Sequence, residues 1–122
     1  MAQRFIKIAV VYLFLGALLG ITMGITQTFT LVPVHAHLLL LGWVSLALAG
    51  IVYHLYPLAA QTLLARIHFW LHNVALPVFM AGLGLMLTGR HELMPLVAGS
   101  ALVVLVGLAL FALNVLRYVK AG

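Results

Sequence analysis

The sequence predicts an all-α membrane protein: one domain over residues 1–122, built of four transmembrane helices with both termini in the cytoplasm. Composition is the first observation. Of 122 residues, 66% are hydrophobic, mean hydropathy is +1.29, and only seven are charged, six Lys or Arg and one acid. A soluble domain carries about a quarter charged residues. Charge spacing is the second. No charge lies between Lys7 and Arg66, a gap of 58 residues, and two further charge-free runs follow, Ile67–Gly89 and Leu93–Leu116. A span takes roughly 20 apolar residues, so the long gap holds two helices and a turn, and each later run holds one. Charge asymmetry is the third. Four spans put the termini and the second connection on one side, with Arg4, Lys7, Arg66, Arg117 and Lys120, opposite Arg90 and the lone acid Glu92. Excess Lys and Arg mark the cytoplasmic side. The pI near 10.3 then reflects topology and attraction to anionic lipid, not nucleic acid.

The first helix, Ile8–Ile25, follows Arg4 and Lys7 as a secretory signal would. A signal has an apolar region of about 7–15 residues and a small-residue cleavage site. This run is longer and no such site follows, so a retained helix is expected. Gly16, Gly20 and Gly24 recur in it at spacing four, a small-residue stripe that lets backbones approach closely, either within the chain or between subunits. Gln27, Thr28 and Thr30 mark the next turn, and Pro33 suits the start of the second helix. Tyr56-Pro57 closes that helix, because proline disfavours α-geometry in the residue before it. The third helix follows from about Leu64. Gly89-Arg90-His91-Glu92 forms a polar turn, and Pro95 stands early in the fourth helix. Absence of cysteine excludes disulfides, thiolate metal sites and cysteine nucleophiles.

Chemistry concentrates in the histidines. Residues two apart on an α-helix differ by about 200° in azimuth and roughly 3 Å in height. His35 and His37 therefore point to nearly opposite sides of the second helix, so that each serves a different site or only one is a ligand. Polar residues can sit at headgroup level without function, but intramembrane ionisable groups are costly and usually functional. Zinc and calcium sites add thiolates or carboxylates, and the only acid here is at the membrane edge. A hydrolase lacks a carboxylate to serve as buried base. Haem iron needs only one or two imidazoles and an apolar slot between helices, which makes haem b the best fit. Copper, which also accepts imidazole, ranks behind it.

The remaining candidates divide between packing and ligation. His54 lies 19 residues from His35, about 28 Å by helix rise, and suits an interfacial or hydrogen-bonded role. His68 and His72 share one face of the third helix, one turn apart. Structural hydrogen bonding is their default, and a second haem or metal site with His54 is the alternative. His91 and Glu92 could hold only a surface metal. Trp43, Tyr53, Tyr56 and Trp70 read as packing aromatics, with Trp43 also a candidate to line a haem slot. Asn73 and Asn114 suit bonds between helices.

The run VHAHLLLLGWVSLALAGIVYHLYP, followed by ARIHFW, resembles the tenth and eleventh helices of subunit I of the haem-copper oxidase superfamily, which includes cytochrome c oxidase and the large subunit of nitric oxide reductase. His35 and His37 match its H-x-H pair. Gly50, His54 and Pro57 fall at matching offsets, and Arg66-Ile67-His68-Phe69-Trp70 matches the opening of the next helix. The resemblance covers about half the chain by motif and identifies it with the family's third quarter, helices nine to twelve. It implies that His35 would bind a high-spin haem and His37 a low-spin haem on opposite sides of the helix. Arg90 falls where the family pairs arginines with haem propionates, although His91 stands in place of the usual second arginine. The chain has four helices against about twelve, and it lacks the copper-site histidines, the cross-linked tyrosine and the proton-channel carboxylates. Oxygen reduction and proton pumping by this chain alone are therefore not expected.

The function expected is a haem b protein of a bacterial inner membrane, used for electron transfer to a redox partner or for binding a diatomic gas. Alternatives are an accessory that handles haem or copper for a terminal oxidase or nitric oxide reductase, and a cofactor-free structural subunit. The family arranges its helices as three arcs of four, and this chain looks like one arc. No imidazole of the same chain is expected to face His35. His37 of a neighbouring copy could, which favours a homotrimer with bis-histidine haem between subunits over a dimer.

Overall fold

The computed structural model describes residues 1–120. Four helices are long and apolar enough to cross a membrane: α1 (Ala2–Thr26), α2 (Val32–Leu55), α3 (Leu63–Leu87), and the span His91–Tyr118, whose α-helix is α4 (Met94–Tyr118). In lipid every backbone polar group must be satisfied internally, so uninterrupted helix is what such runs form. The ends obey the local chemistry. α1 stops at Gln27, whose backbone is left-handed (φ 54°) and whose side chain donates back to the Gly24 carbonyl. Pro33 occupies the first turn of α2, and Tyr56 before Pro57 leaves the helical region (φ −126°, ψ 77°). A single turn, Pro57–Ala60, leads to Thr62, whose hydroxyl accepts from the Ala65 amide and caps α3. Gly89 takes φ +122° in the third connection, a conformation that L side chains rarely adopt. A 3₁₀ turn, His91–Leu93, then leads into α4 with Pro95 in its first turn.

One element departs from the expected geometry. Within α2, Leu38–Val44 is a π-helix that begins immediately after His37. Such i→i+5 turns are rare and cluster at functional sites.

The chain packs as two close hairpins, α1–α2 and α3–α4, joined along α2 and α3. Near the termini, Phe5 and Ala9 of α1 meet Leu46, Ala49 and Tyr53 of α2 and Ala65 and Phe69 of α3. Toward the opposite end, Val34 and Leu38 of α2 pack with Leu76, Phe79 and Leu83 of α3 and Val97 and Val104 of α4. Large apolar side chains also cover the outside: Phe14, Ile21, Leu102 and Leu116 are all more than 60% exposed. A water-soluble monomer rarely exposes contiguous apolar surface on this scale, whereas lipid is a solvent for it.

Glycines set the α1–α2 spacing. A Cβ at Gly16 would lie 2.6 Å from Leu39 Cδ2, and one at Gly20 would lie 2.6 Å from His35 Cε1. Lower down, Gly50 lies against Ile6 and Phe5. Gly24, by contrast, has nothing within 4 Å. The first two glycines of the stripe thus pack within the chain.

Candidate functional site

His35 and His37 stand in the first turn and a half of α2, partly exposed, at the end away from the termini. His35 Nδ1 is 2.8 Å from the carbonyl of Gly16 on α1, and His37 Nδ1 is 2.6 Å from the carbonyl of Pro33, one turn back. A carbonyl only accepts, so in the neutral ring Nδ1 carries the proton in both cases and donates it. In that tautomer Nε2 is the lone-pair nitrogen through which imidazole ligates a metal. Among the described residues it has a hydrogen-bond partner in neither ring, while the other nitrogen is anchored as in many metal-binding histidines. The rings diverge as their spacing requires. His35 lies on Gly16 and Gly20 of α1, while His37 sits edge-on to Phe79 of α3, ring centroids 5.3 Å apart. One ion cannot take both.

The other histidines separate. His68 and His72 are buried at 1% and 0% exposure, ring centroids 5.6 Å apart. His68 Nδ1 is 3.0 Å from the Tyr53 hydroxyl, and the ring lies among Phe5 and Phe111. His72 Nε2 donates to the carbonyl of Leu41 in the π turn at 2.8 Å, leaving its Nδ1 buried without a partner. His54 is exposed. The structure thus brings His68 and His72 together and leaves His54 outside. Among the described residues no three His, Cys, Asp or Glu side chains are placed to hold one metal ion. Equal helix rise on either side of the connection would set His72 level with about residue 47, but it meets Leu41.

Arg90 and Trp43 are less directly placed. Arg90 Nε holds Glu92 Oε1 at 2.6 Å, both side chains 61% exposed. Such an exposed pair contributes little to stability. Trp43, within the π turn, is half-buried and packs on the core nearer the termini.

Sequence reasoning missed three partners: the Gly16 carbonyl for His35, Tyr53 for His68 and Leu41 for His72. The glycine stripe carried a signal for the first, since close backbone approach also brings carbonyls within reach. Asn114 does bond across elements, its Nδ2 donating to the Ala59 carbonyl at 3.0 Å, whereas Asn73 donates within its own helix to Phe69. In comparisons with known proteins, no family model, curated protein or solved structure gives a significant match to the chain.

Proposed function

We propose that this chain is an integral membrane haem b protein, carrying electrons or binding a diatomic gas, with haem held between copies of the chain. One observation supports it above the rest: both histidines of the H-x-H pair have Nδ1 tied to a backbone carbonyl, and among the described residues Nε2 has no hydrogen-bond partner in either. The donor set fits haem. The bundle interior offers imidazole without carboxylate or thiolate, which suits an iron already held by a porphyrin. His35 and His37 would supply axial ligands, and the group when bound supplies one-electron chemistry or a gas-binding iron. The protein's own part is to fix two imidazole tautomers and exclude water with an apolar surround.

Sharing between copies is supported by what faces each ring. His35 looks onto α1, which has no histidine, and His37 looks onto Phe79. His68 and His72 have nitrogens committed to Tyr53 and Leu41. A second axial imidazole would then come from another copy, His37 of one chain completing the slot of His35 of the next. Closed rings are the common outcome for such head-to-tail contacts, and a trimer is favoured over a dimer. The termini would lie in the cytoplasm of a bacterial inner membrane, following the five-to-one distribution of Lys and Arg.

Purified protein is expected to show a Soret band, a sharp reduced α-band of haem b and one haem per chain, with trimers in native mass spectrometry. Colourless protein would end the haem assignment, and a haem-loaded monomer would end the shared slot. Arg90 tests the orientation. Its Nε is occupied by Glu92, but the terminal guanidinium nitrogens remain for a propionate by charge-assisted hydrogen bonds. Arg90→Leu is expected to shift the midpoint potential and speed haem loss a few-fold, read by redox titration and transfer to apomyoglobin. Unchanged potential and retention would remove Arg90 from the site.

A further inference from the structure

Buried positions in α2 step by four residues from Val34 through Leu38 and Gly42 to Leu46, and then include Ala49, Gly50 and Tyr53. On an uninterrupted α-helix each step of four drifts about 40° around the axis, or about 120° from Val34 to Leu46. The outer buried positions would then stand well out of line with the inner ones. The π turn Leu38–Val44 removes most of that drift, because one extra residue in a turn is worth about 100° of rotation. It is what allows Gly50 to seat on Ile6 and Phe5 while His35 reaches Gly16 and His37 reaches Phe79.

A π turn in an apolar helix needs support, and the structure supplies it from three directions. Ser45 Oγ donates to the Leu40 carbonyl at 2.8 Å. The Tyr12 ring of α1 presses on Gly42, where a Cβ would collide with it. His72 of α3 donates through Nε2 to the Leu41 carbonyl at 2.8 Å, from a fully buried position with no other polar partner.

We infer that His72 is a positioning residue: it latches the π turn of α2 and thereby sets the directions in which His35 and His37 present their imidazoles. Without the latch the turn can relax toward α-geometry. With the inner half of α2 still seated on α1, the outer half would swing by up to about 100°. His35 would then leave the Gly16 carbonyl and His37 would leave Phe79. The claim on ligand direction rests on the haem assignment above, whereas the latch itself does not.

His72→Leu and His72→Gln separate the two. Leucine keeps the burial and removes the donor, while glutamine retains an N–H donor of similar reach. Hydrogen exchange of the protein in detergent, haem-free and as purified, is expected to quicken about three- to twenty-fold over residues 41–46 in the leucine variant, the range of one interhelical hydrogen bond in a membrane bundle. Glutamine is expected to restore it. The electron paramagnetic resonance g-values of the ferric haem should move in the leucine variant and return in the glutamine variant. Wild-type exchange in His72→Leu would overturn the latch, and altered exchange with unmoved g-values would overturn its hold on the ligands. Colourless protein would remove the haem assignment alone, and the exchange comparison would still decide the latch. If the leucine variant fails to fold, His72→Met takes its place, since it also fills the site without a donor: faster exchange over the same residues is expected, and wild-type exchange would overturn the latch.

Discussion

Alanine at His35 or at His37 is expected to lower haem occupancy at least ~10-fold, and each single variant should lose as much as the double. Loss of groups that merely orient a metal ligand costs about 10–100-fold in affinity, so loss of the ligand itself should cost no less. The equality of the single variants follows from the shared slot. If His35 of one chain and His37 of the next complete one site, removing either empties it, and the second substitution has nothing left to remove. The same geometry predicts rescue between chains. A chain with His35→Ala still offers His37, and a chain with His37→Ala still offers His35. Co-expressed, the two should restore a fraction of the six-coordinate haem that neither holds alone. Haem per chain and the reduced α-band measure both effects. Full haem in both single variants would move the site elsewhere in the bundle, with His68 and His72 next in line. Absence of rescue on co-expression, with haem lost in each single variant, would overturn the slot shared between copies.

The limits of what the sequence discloses have one physical source. Lipid is as apolar as a protein core, so hydrophobic periodicity cannot separate inside from outside in such a chain. Spans were legible because charge is excluded from them, and ends were legible at Pro33, Pro57 and Pro95 because proline acts through local backbone sterics. The opposed directions of His35 and His37 follow from helix geometry alone, and their contacts with α1 and α3 agree with it. Which leucines face the core was not legible: Leu38 is buried and Leu40 is 58% exposed, two identical side chains in an unbroken run of four. Burial is marked instead by small residues such as Ala49, Ala59, Ala65 and Gly50, whose close contacts bring the backbones together. The π turn was hidden for a related reason. Two of its three supports come from Tyr12 and His72, residues 30 positions before and 31 positions after the groups they contact, Gly42 and Leu41. Tyr53 reads as a packing aromatic until its hydroxyl is seen beside His68.

The glycine stripe gives the sharpest contrast available within one helix. Gly20→Ala should preserve the fold and remove haem, whereas Gly24→Ala should change neither. A methyl at Gly20 would stand 2.6 Å from His35 Cε1 and 3.1 Å from its Nδ1. The ring cannot give way while keeping its bond to the Gly16 carbonyl, so the imidazole must swing off that anchor. Losing an anchor of this kind costs metal sites about 10–100-fold in affinity. The helix itself does not suffer, since alanine is favoured over glycine in helix interiors by about 1 kcal/mol. Set against the lost His35–Gly16 bond, about 0.6 kcal/mol for such a contact in a membrane bundle, that gain leaves melting of the haem-free protein nearly level while haem retention collapses. At Gly24 nothing lies within 4 Å of the added methyl, so only the small helical gain remains. Haem loss at nearly level stability in Gly20→Ala would tie the ligand to the orientation that Gly16 imposes. A Gly20→Ala protein with wild-type haem content and spectrum would show that His35 ligates in another orientation or not at all.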